Sequence, residues 1–146
     1  MAVSSKESLK LENQLCFPLY AASRLVTQCY QPALEEIGIT YPQYLVLMTL
    51  WETDLVSVSV LSQKLYLQSN TLTPLLKRMQ EMGLVNRDRS REDERSVIIS
   101  LTAKGKALKD QAPKIQDQLT ESIGISDQEA QQLHSLLYKL IKAVKK

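Results

Sequence analysis

The chain has 146 residues, of which 44% are apolar, 23% charged and only 5% aromatic; with 4 glycines and 5 prolines it is neither a disordered nor a fibrous sequence. That length supports a moderate core, and the abundance of Leu, Gln, Lys and Glu points to a mainly α-helical class. The net charge is +2, but residues 61–110 carry 10 basic and 6 acidic side chains, against 3 and 6 in residues 1–60 and 5 and 4 in residues 111–146.

Residues 1–8 are polar and expected to fray. From Leu15 an apolar stripe runs through Leu19, Ala22, Val26, Cys29 and Ala33 in steps of 3 and 4, the seam of a helix that packs on another helix. Pro18 sets the start of that helix near Phe17, or else kinks a helix that begins near Leu9. Gly38 stops it. Thr40-Tyr41-Pro42-Gln43 has the T-x-x-Q form of a capping box, and the helix it opens, YPQYLVLMTLWE, is apolar on most sides and therefore central. Ser57 or Ser59 caps a short helix to about Leu65. Tyr66-Leu67-Gln68 is a turn, and Ser69 or Asn70 caps a second helix that ends at Gly83. In that helix Leu72, Leu75, Leu76, Met79 and Met82 form the buried face, leaving Ser69, Asn70, Thr71, Thr73, Lys77 and Gln80 outward or near its edge.

Leu84–Arg89 and Ser96–Leu101 read as two strands joined by a polar tip, SREDE. Thr102 caps a long helix to about Ile123, which Gly124 breaks. Ser126-Asp127-Gln128-Glu129 is an S-x-x-E capping box, and the last helix carries Ala130, Leu133, Leu136, Leu137, Leu140, Ile141 and Val144 on one face. The order helix, turn, helix, charged hairpin defines a winged helix-turn-helix at residues 40–102, with a two-stranded β wing. Residues 9–38 and 103–146 supply dimerisation helices, and the whole forms one domain. Two such units in a homodimer would sit one duplex turn apart.

Short hydroxyl and amide side chains at a helix N-terminus, followed by cations, suit a helix placed in a major groove of double-stranded operator DNA. Ser69, Asn70, Thr71 and Thr73 are the candidate reading residues, with Lys77 and Arg78 behind them. Arg87, Arg89 and Arg91 are phosphate contacts or solvated charges. Arg95 is a minor-groove residue at the wing, with Asp93 its bidentate partner, or else a wing-tip charge in solvent. No run approaches ~18 apolar residues and no signal-peptide core is present, so a cytoplasmic protein with no membrane contact is expected. Cys16 and Cys29 are then reduced at rest. One histidine, no CxxC pair and no phosphate-binding glycine loop leave no metal, no cofactor and no enzyme activity to expect.

The hairpin with Asp93-x-Arg95 and the Leu101-Thr102 that reopens a helix resemble the MarR family of winged-helix repressors. LENQLCFPLY at 11–20, ITYPQYLVLMTLWE at 39–52, LTPLLKRM at 72–79 and RSREDERSVIISLT at 89–102 are similar to its organic-hydroperoxide-sensing OhrR branch, and the resemblance spans residues 9–142. It implies that Cys16 is the peroxide-reactive cysteine and that Tyr30 and Tyr41 hydrogen-bond it across the dimer interface. It implies a repressor that leaves its operator when an organic hydroperoxide oxidises Cys16. Relatives with two cysteines place a resolving cysteine near the C-terminus; residues 103–146 have none, which implies capture of Cys16 by a small cellular thiol. Many relatives have Asp-Ser-Gly where this chain has Gln68-Ser69-Asn70, which changes the fine contacts of the reading helix. Leu15, Phe17, Leu19 and Tyr20 would form an apolar pocket around the thiol. Cys29 fits the helix seam, or else pairs with the partner's Cys16.

Cys16 and Tyr30 are 14 residues apart, about 21 Å along a helix at ~1.5 Å per residue, so a contact between them needs an antiparallel partner helix. The competing readings are a regulator switched by a small aromatic ligand, a thiol peroxidase, and a helix-turn-helix used for protein contacts alone. Against the peroxidase stand the absent resolving cysteine and the absence of any Lys or Arg within five residues of Cys16.

Overall fold

The computed structural model describes Lys6 and residues 9–145. After a 3-10 turn at Leu11–Asn13, the elements are α1 (Cys16–Glu36), α2 (Tyr41–Glu52), β1 (Val56–Ser57), α3 (Val58–Leu65), α4 (Ser69–Glu81), β2 (Val85–Arg89), β3 (Val97–Leu101), α5 (Ala103–Ala107), a 3-10 turn at Leu108–Gln111, α6 (Ala112–Ile123) and α7 (Asp127–Val144). The frayed segment expected at 1–8 lies outside the described residues, Lys6 apart.

Each junction has a local cause. Pro18 occupies the third position of α1, where no intrahelical donor is needed, so the helix starts at Cys16 and is not a kinked helix from Leu9. Thr40 accepts from the Gln43 N–H while the Gln43 side chain accepts from the Thr40 N–H, closing the expected capping box over α2. Ser57, not Ser59, caps α3. Tyr66 takes a left-handed conformation (φ 54°), and the turn is tied by the Leu67 N–H to the Ser62 carbonyl at 3.2 Å. Ser126 and Glu129 form the expected box at the start of α7.

One expectation is extended and two are corrected. The two-stranded wing is present as the β2–β3 hairpin, but the sheet extends beyond it: β1 adds a third strand, in the order β1-β3-β2, with Val56 opposite Ile99 and Arg87 opposite Ile99 from the other side. Two residues are too few for an alternating pattern to register. Ser69 and Asn70 do not cap α4; they are its first two residues, because Gln68 is the last extended residue and provides no side-chain cap. The long helix from Thr102 is broken into α5, a 3-10 turn and α6, since Pro113 offers no N–H to the Lys109 carbonyl.

The core lies between α2, α3, α4 and the sheet. Val46, Leu47, Leu61, Leu72, Leu76, Met79 and Ile99 are wholly buried there. Of α1 only Ala33 and Leu34 are buried, and none of α7 is. α1 packs against α6, with Lys114 Nζ 2.9 Å from Glu36 Oε2 at one end. Leu15, Leu19, Ala22 and Val26 of the α1 seam and Leu133, Leu136 and Val144 of α7 therefore face outward on a single chain, while Leu137, Leu140 and Ile141 are half-buried. Leu25 is 60% and Leu136 64% exposed. Among the described residues no helix is long and apolar enough to cross a membrane.

Candidate functional site

Cys16 is the first residue of the 21-residue α1 and is exposed. The preceding residue, Leu15, is already in helical conformation and provides no side-chain cap to the first turn. Leu15, Phe17, Leu19 and Tyr20 around the thiol are all exposed. They form an apolar surface, not the pocket expected around the cysteine, because nothing in one chain covers them. Cys29 is half-buried on the seam.

Tyr30 and Tyr41 come from different helices, yet their rings lie 4.7 Å apart between centroids, tilted by 41°. The reversal at Ile37–Thr40, with Gly38 in the left-handed region, folds the start of α2 back onto the end of α1. Tyr44, one helical turn beyond Tyr41, joins them at 6.0 Å from Tyr30. The sequence reading missed Tyr44, although the i, i+3 spacing from Tyr41 places both on one face. Burial pushes the Tyr30 phenol up to about 12, with the neighbouring Tyr41 and Tyr44 adding to the effect. Burial raises Tyr41 and Tyr44 as well. All three are neutral hydroxyls near pH 7, as an ordinary phenol is, and can donate a hydrogen bond to an anionic sulfur or oxygen. Beside them an open groove of about 310 Å³ is lined by Thr27, Gln31, Leu34, Ile39, Tyr41 and Pro42. Cys16 is not among the lining residues, in keeping with its distance along α1.

α4 presents Ser69, Asn70, Thr71, Lys77 and Arg78 to solvent. Because Gln68 gives no side-chain cap, the Ser69 and Asn70 N–H groups stay open at the helix start. Thr73 is half-buried and its hydroxyl donates to the Ser69 carbonyl at 2.8 Å, so it is turned back on the helix. The wing tip is a tight turn: the Ser90 N–H donates to the Ser96 carbonyl, and the Arg95 N–H to Asp93 Oδ1 at 3.0 Å. The expected bidentate pairing of Asp93 with the Arg95 guanidinium is not formed. The carboxylate is two residues away in a turn and meets the nearer backbone N–H instead. The Arg95 guanidinium is exposed and makes no hydrogen bond or ion pair among the described residues.

Arg87 and Arg89 are engaged elsewhere. Arg89 Nη1 donates to the Glu94 carbonyl at 2.7 Å and steadies the tip. Arg87 is half-buried against the end of α4; its Nη1 approaches Gln80 Oε1 at 3.5 Å, and its Nε is buried without a partner. Among the described residues of α4 and the wing, the exposed cations without a hydrogen bond or ion pair from their side chains are Lys77, Arg78, Arg91 and Arg95.

Residues 28–112 match the family model of the SarA/Rot transcriptional regulators. The chain is 49% identical over 138 residues to the organic hydroperoxide resistance transcriptional regulator of Bacillus subtilis (strain 168), covering 94% of both chains. Among solved structures it resembles AbfR, a protein of Staphylococcus epidermidis. Reduced AbfR bound to DNA matches with a TM-score of 0.81 at 37% identity, over 95% of each chain. Disulfide-formed AbfR matches with a TM-score of 0.62 at the same identity, over 96% of this chain and 93% of that one.

Proposed function

Because the chain belongs to the MarR/SarA-type family of winged-helix transcriptional regulators, we propose that it is a homodimeric repressor that senses organic hydroperoxides through Cys16. The observation that carries this reading is the exposed thiol at the N-terminus of α1, set among exposed apolar residues, in a chain 49% identical to an organic hydroperoxide resistance regulator. The apolar surroundings favour an alkyl hydroperoxide over hydrogen peroxide.

A second copy completes the site. The outward seams of α1 and α7 provide its interface, and antiparallel pairing of the α1 helices carries each Cys16 toward the Tyr30–Tyr41 pair of the other copy. The phenols, neutral near pH 7, donate to the sulfur. In the sensing step the Cys16 thiolate attacks one oxygen of the peroxide. The O–O bond breaks, the alkoxide leaves and takes a proton to become an alcohol, and the cysteine becomes a sulfenic acid. A small cellular thiol then condenses with the sulfenic acid, releasing water and leaving a mixed disulfide. The enlarged, neutral sulfur no longer fits the phenols, the dimer helices shift, and the two reading heads lose their spacing. The reduced and the overoxidised DNA-bound forms of AbfR match this chain with TM-scores of 0.81 and 0.77 and the disulfide-formed one with 0.62, so the poorer match goes with the disulfide and not with oxidation as such, which supports a disulfide as the releasing state here.

For the output, α4 enters the major groove with Ser69, Asn70 and Thr71 foremost and Lys77 and Arg78 on the phosphates. Arg95 reaches the minor groove from the wing, whose tip Asp93 holds in shape through the backbone. Brief exposure to cumene hydroperoxide with a small thiol present, followed by mass spectrometry, tests the sensor assignment. Cys16 should gain one oxygen or the mass of the thiol, with Cys29 unchanged. Modification of Cys29 with Cys16 left intact overturns it.

A further inference from the structure

The tyrosine pair does not stand alone. α2 places Tyr41, Tyr44, Met48 and Trp51 at i, i+3, i+7 and i+10, along one face of a helix in the middle of the core. The rings make a continuous series: Tyr41 to Tyr30 at 4.7 Å, Tyr30 to Tyr44 at 6.0 Å, and Tyr44 to Trp51 at 6.0 Å, edge-on at 71°. At its end the indole Nε1–H of Trp51 donates to the carbonyl of Gly105 at 2.9 Å, across 54 residues of chain.

Gly105 occupies a point with no slack. A Cβ there would lie 2.2 Å from the Leu84 carbonyl oxygen and 3.1 Å from the Leu101 side chain. The same Leu84 carbonyl accepts from the Thr102 N–H at 3.1 Å and the Thr102 hydroxyl at 3.0 Å, and that hydroxyl also reaches the Gly83 carbonyl. Gly83 ends the reading helix α4, Leu84 leads into β2, Leu101 closes β3 and Thr102 caps α5. One hydrogen bond from Trp51 thus lands where the reading helix, both wing strands and the helix leading back to α6 meet.

We propose that Tyr44 and Trp51 are positioning residues that carry the state of the Tyr30–Tyr41 pair to the base of the wing. This rests on the redox reading above. Rings packed in contact in a dense core, tilted at Tyr30 and edge to face at Trp51, move together or exchange one discrete arrangement for another. A shift of Tyr30 on oxidation displaces Tyr44 and then Trp51, and the Gly105 junction passes the displacement to α4 and the wing as one unit.

The test measures DNA affinity before and after alkyl hydroperoxide, together with the extent of Cys16 oxidation, in wild type and in Trp51→Phe. The variant keeps a ring and loses the indole N–H. Its reduced form should bind DNA close to wild type and its Cys16 should oxidise at the wild-type rate. Its loss of affinity on oxidation should be smaller by about tenfold, within the usual range of coupling between sites. Tyr44→Leu should behave alike and Tyr44→Phe, which keeps the ring, should restore the wild-type response; this pair carries the same test if Trp51→Phe does not fold. Release of Trp51→Phe and Tyr44→Leu equal to a responding wild type overturns the relay alone. A wild type that keeps its DNA despite oxidised Cys16 overturns the redox reading and the relay with it.

Discussion

Tyr30 and Tyr41 pack with their ring centroids 4.7 Å apart and their planes tilted by 41°, one towards the end of α1 and the other at the start of α2. The contact joins an outward-facing helix to the core of the reading head, so whatever touches these phenols from outside acts on both.

The pair leaves a signature in stability against pH. Tyr30 has a folded value of about 12, above the ordinary value of 10.0 that applies to the unfolded chain. The folded state therefore holds its proton where the unfolded state has lost it. The associated stability is complete below pH ~10 and is lost as pH rises toward ~12. Urea unfolding at a series of alkaline pH values should show stability falling across that window, and Tyr30→Phe should make the fall shallower. Equal slopes in the two proteins would remove Tyr30 as a cause.

Gly105→Ala should be far more damaging than its chemistry suggests. The added methyl meets a backbone oxygen, Leu84 O, at 2.2 Å, and that atom is fixed by two hydrogen bonds from Thr102. A loss of about 1–3 kcal/mol, the usual cost of overpacking, is expected in thermal unfolding, with weaker DNA binding because α4 and the wing separate. Gly38→Ala has open space around it and should cost only the left-handed backbone penalty, about 1–2 kcal/mol.

The two wing arginines should part company in salt titrations. Arg95 is exposed and uncommitted, so Arg95→Ala should weaken DNA binding and reduce the salt slope by about 1. Arg87 lies against Gln80 with a buried Nε, so Arg87→Ala should lower Tm and affinity while leaving the slope as it was. A reduced slope for Arg87→Ala would make it a phosphate contact after all.

Leu136, 64% exposed on α7, should be an interface residue between two copies. Leu136→Asp should yield monomers in sedimentation equilibrium at concentrations where wild type is dimeric, without loss of helical circular dichroism. A variant that sediments like wild type would move the interface elsewhere.

Much of this was legible in the residues because the signals were local. The capping boxes at Thr40 and Ser126, the turn at Tyr66 and the β-branched strand at Val97–Leu101 are each set by neighbours within a few positions. What stayed hidden was decided at long range. β1 has two residues and exists only because β3 pairs with it. The Trp51–Gly105 hydrogen bond spans 54 residues and has no sequence signature. Arg87 and Arg95 look equivalent in a list of basic wing residues, and only packing against α4 separates them. Asp93 was expected on the Arg95 guanidinium and is found on its backbone N–H, a difference of side-chain direction that spacing alone does not fix.

The central claim, that the oxidation state of Cys16 governs DNA binding, is tested most directly by fluorescence anisotropy. The probe is a labelled duplex selected from a random pool by the reduced protein, titrated with wild type and Cys16→Ser before and after cumene hydroperoxide in the presence of a small thiol. Wild type should bind when reduced and release when oxidised, and Cys16→Ser should remain bound throughout. Release of Cys16→Ser by peroxide, or a wild type that stays bound with Cys16 oxidised, would contradict it.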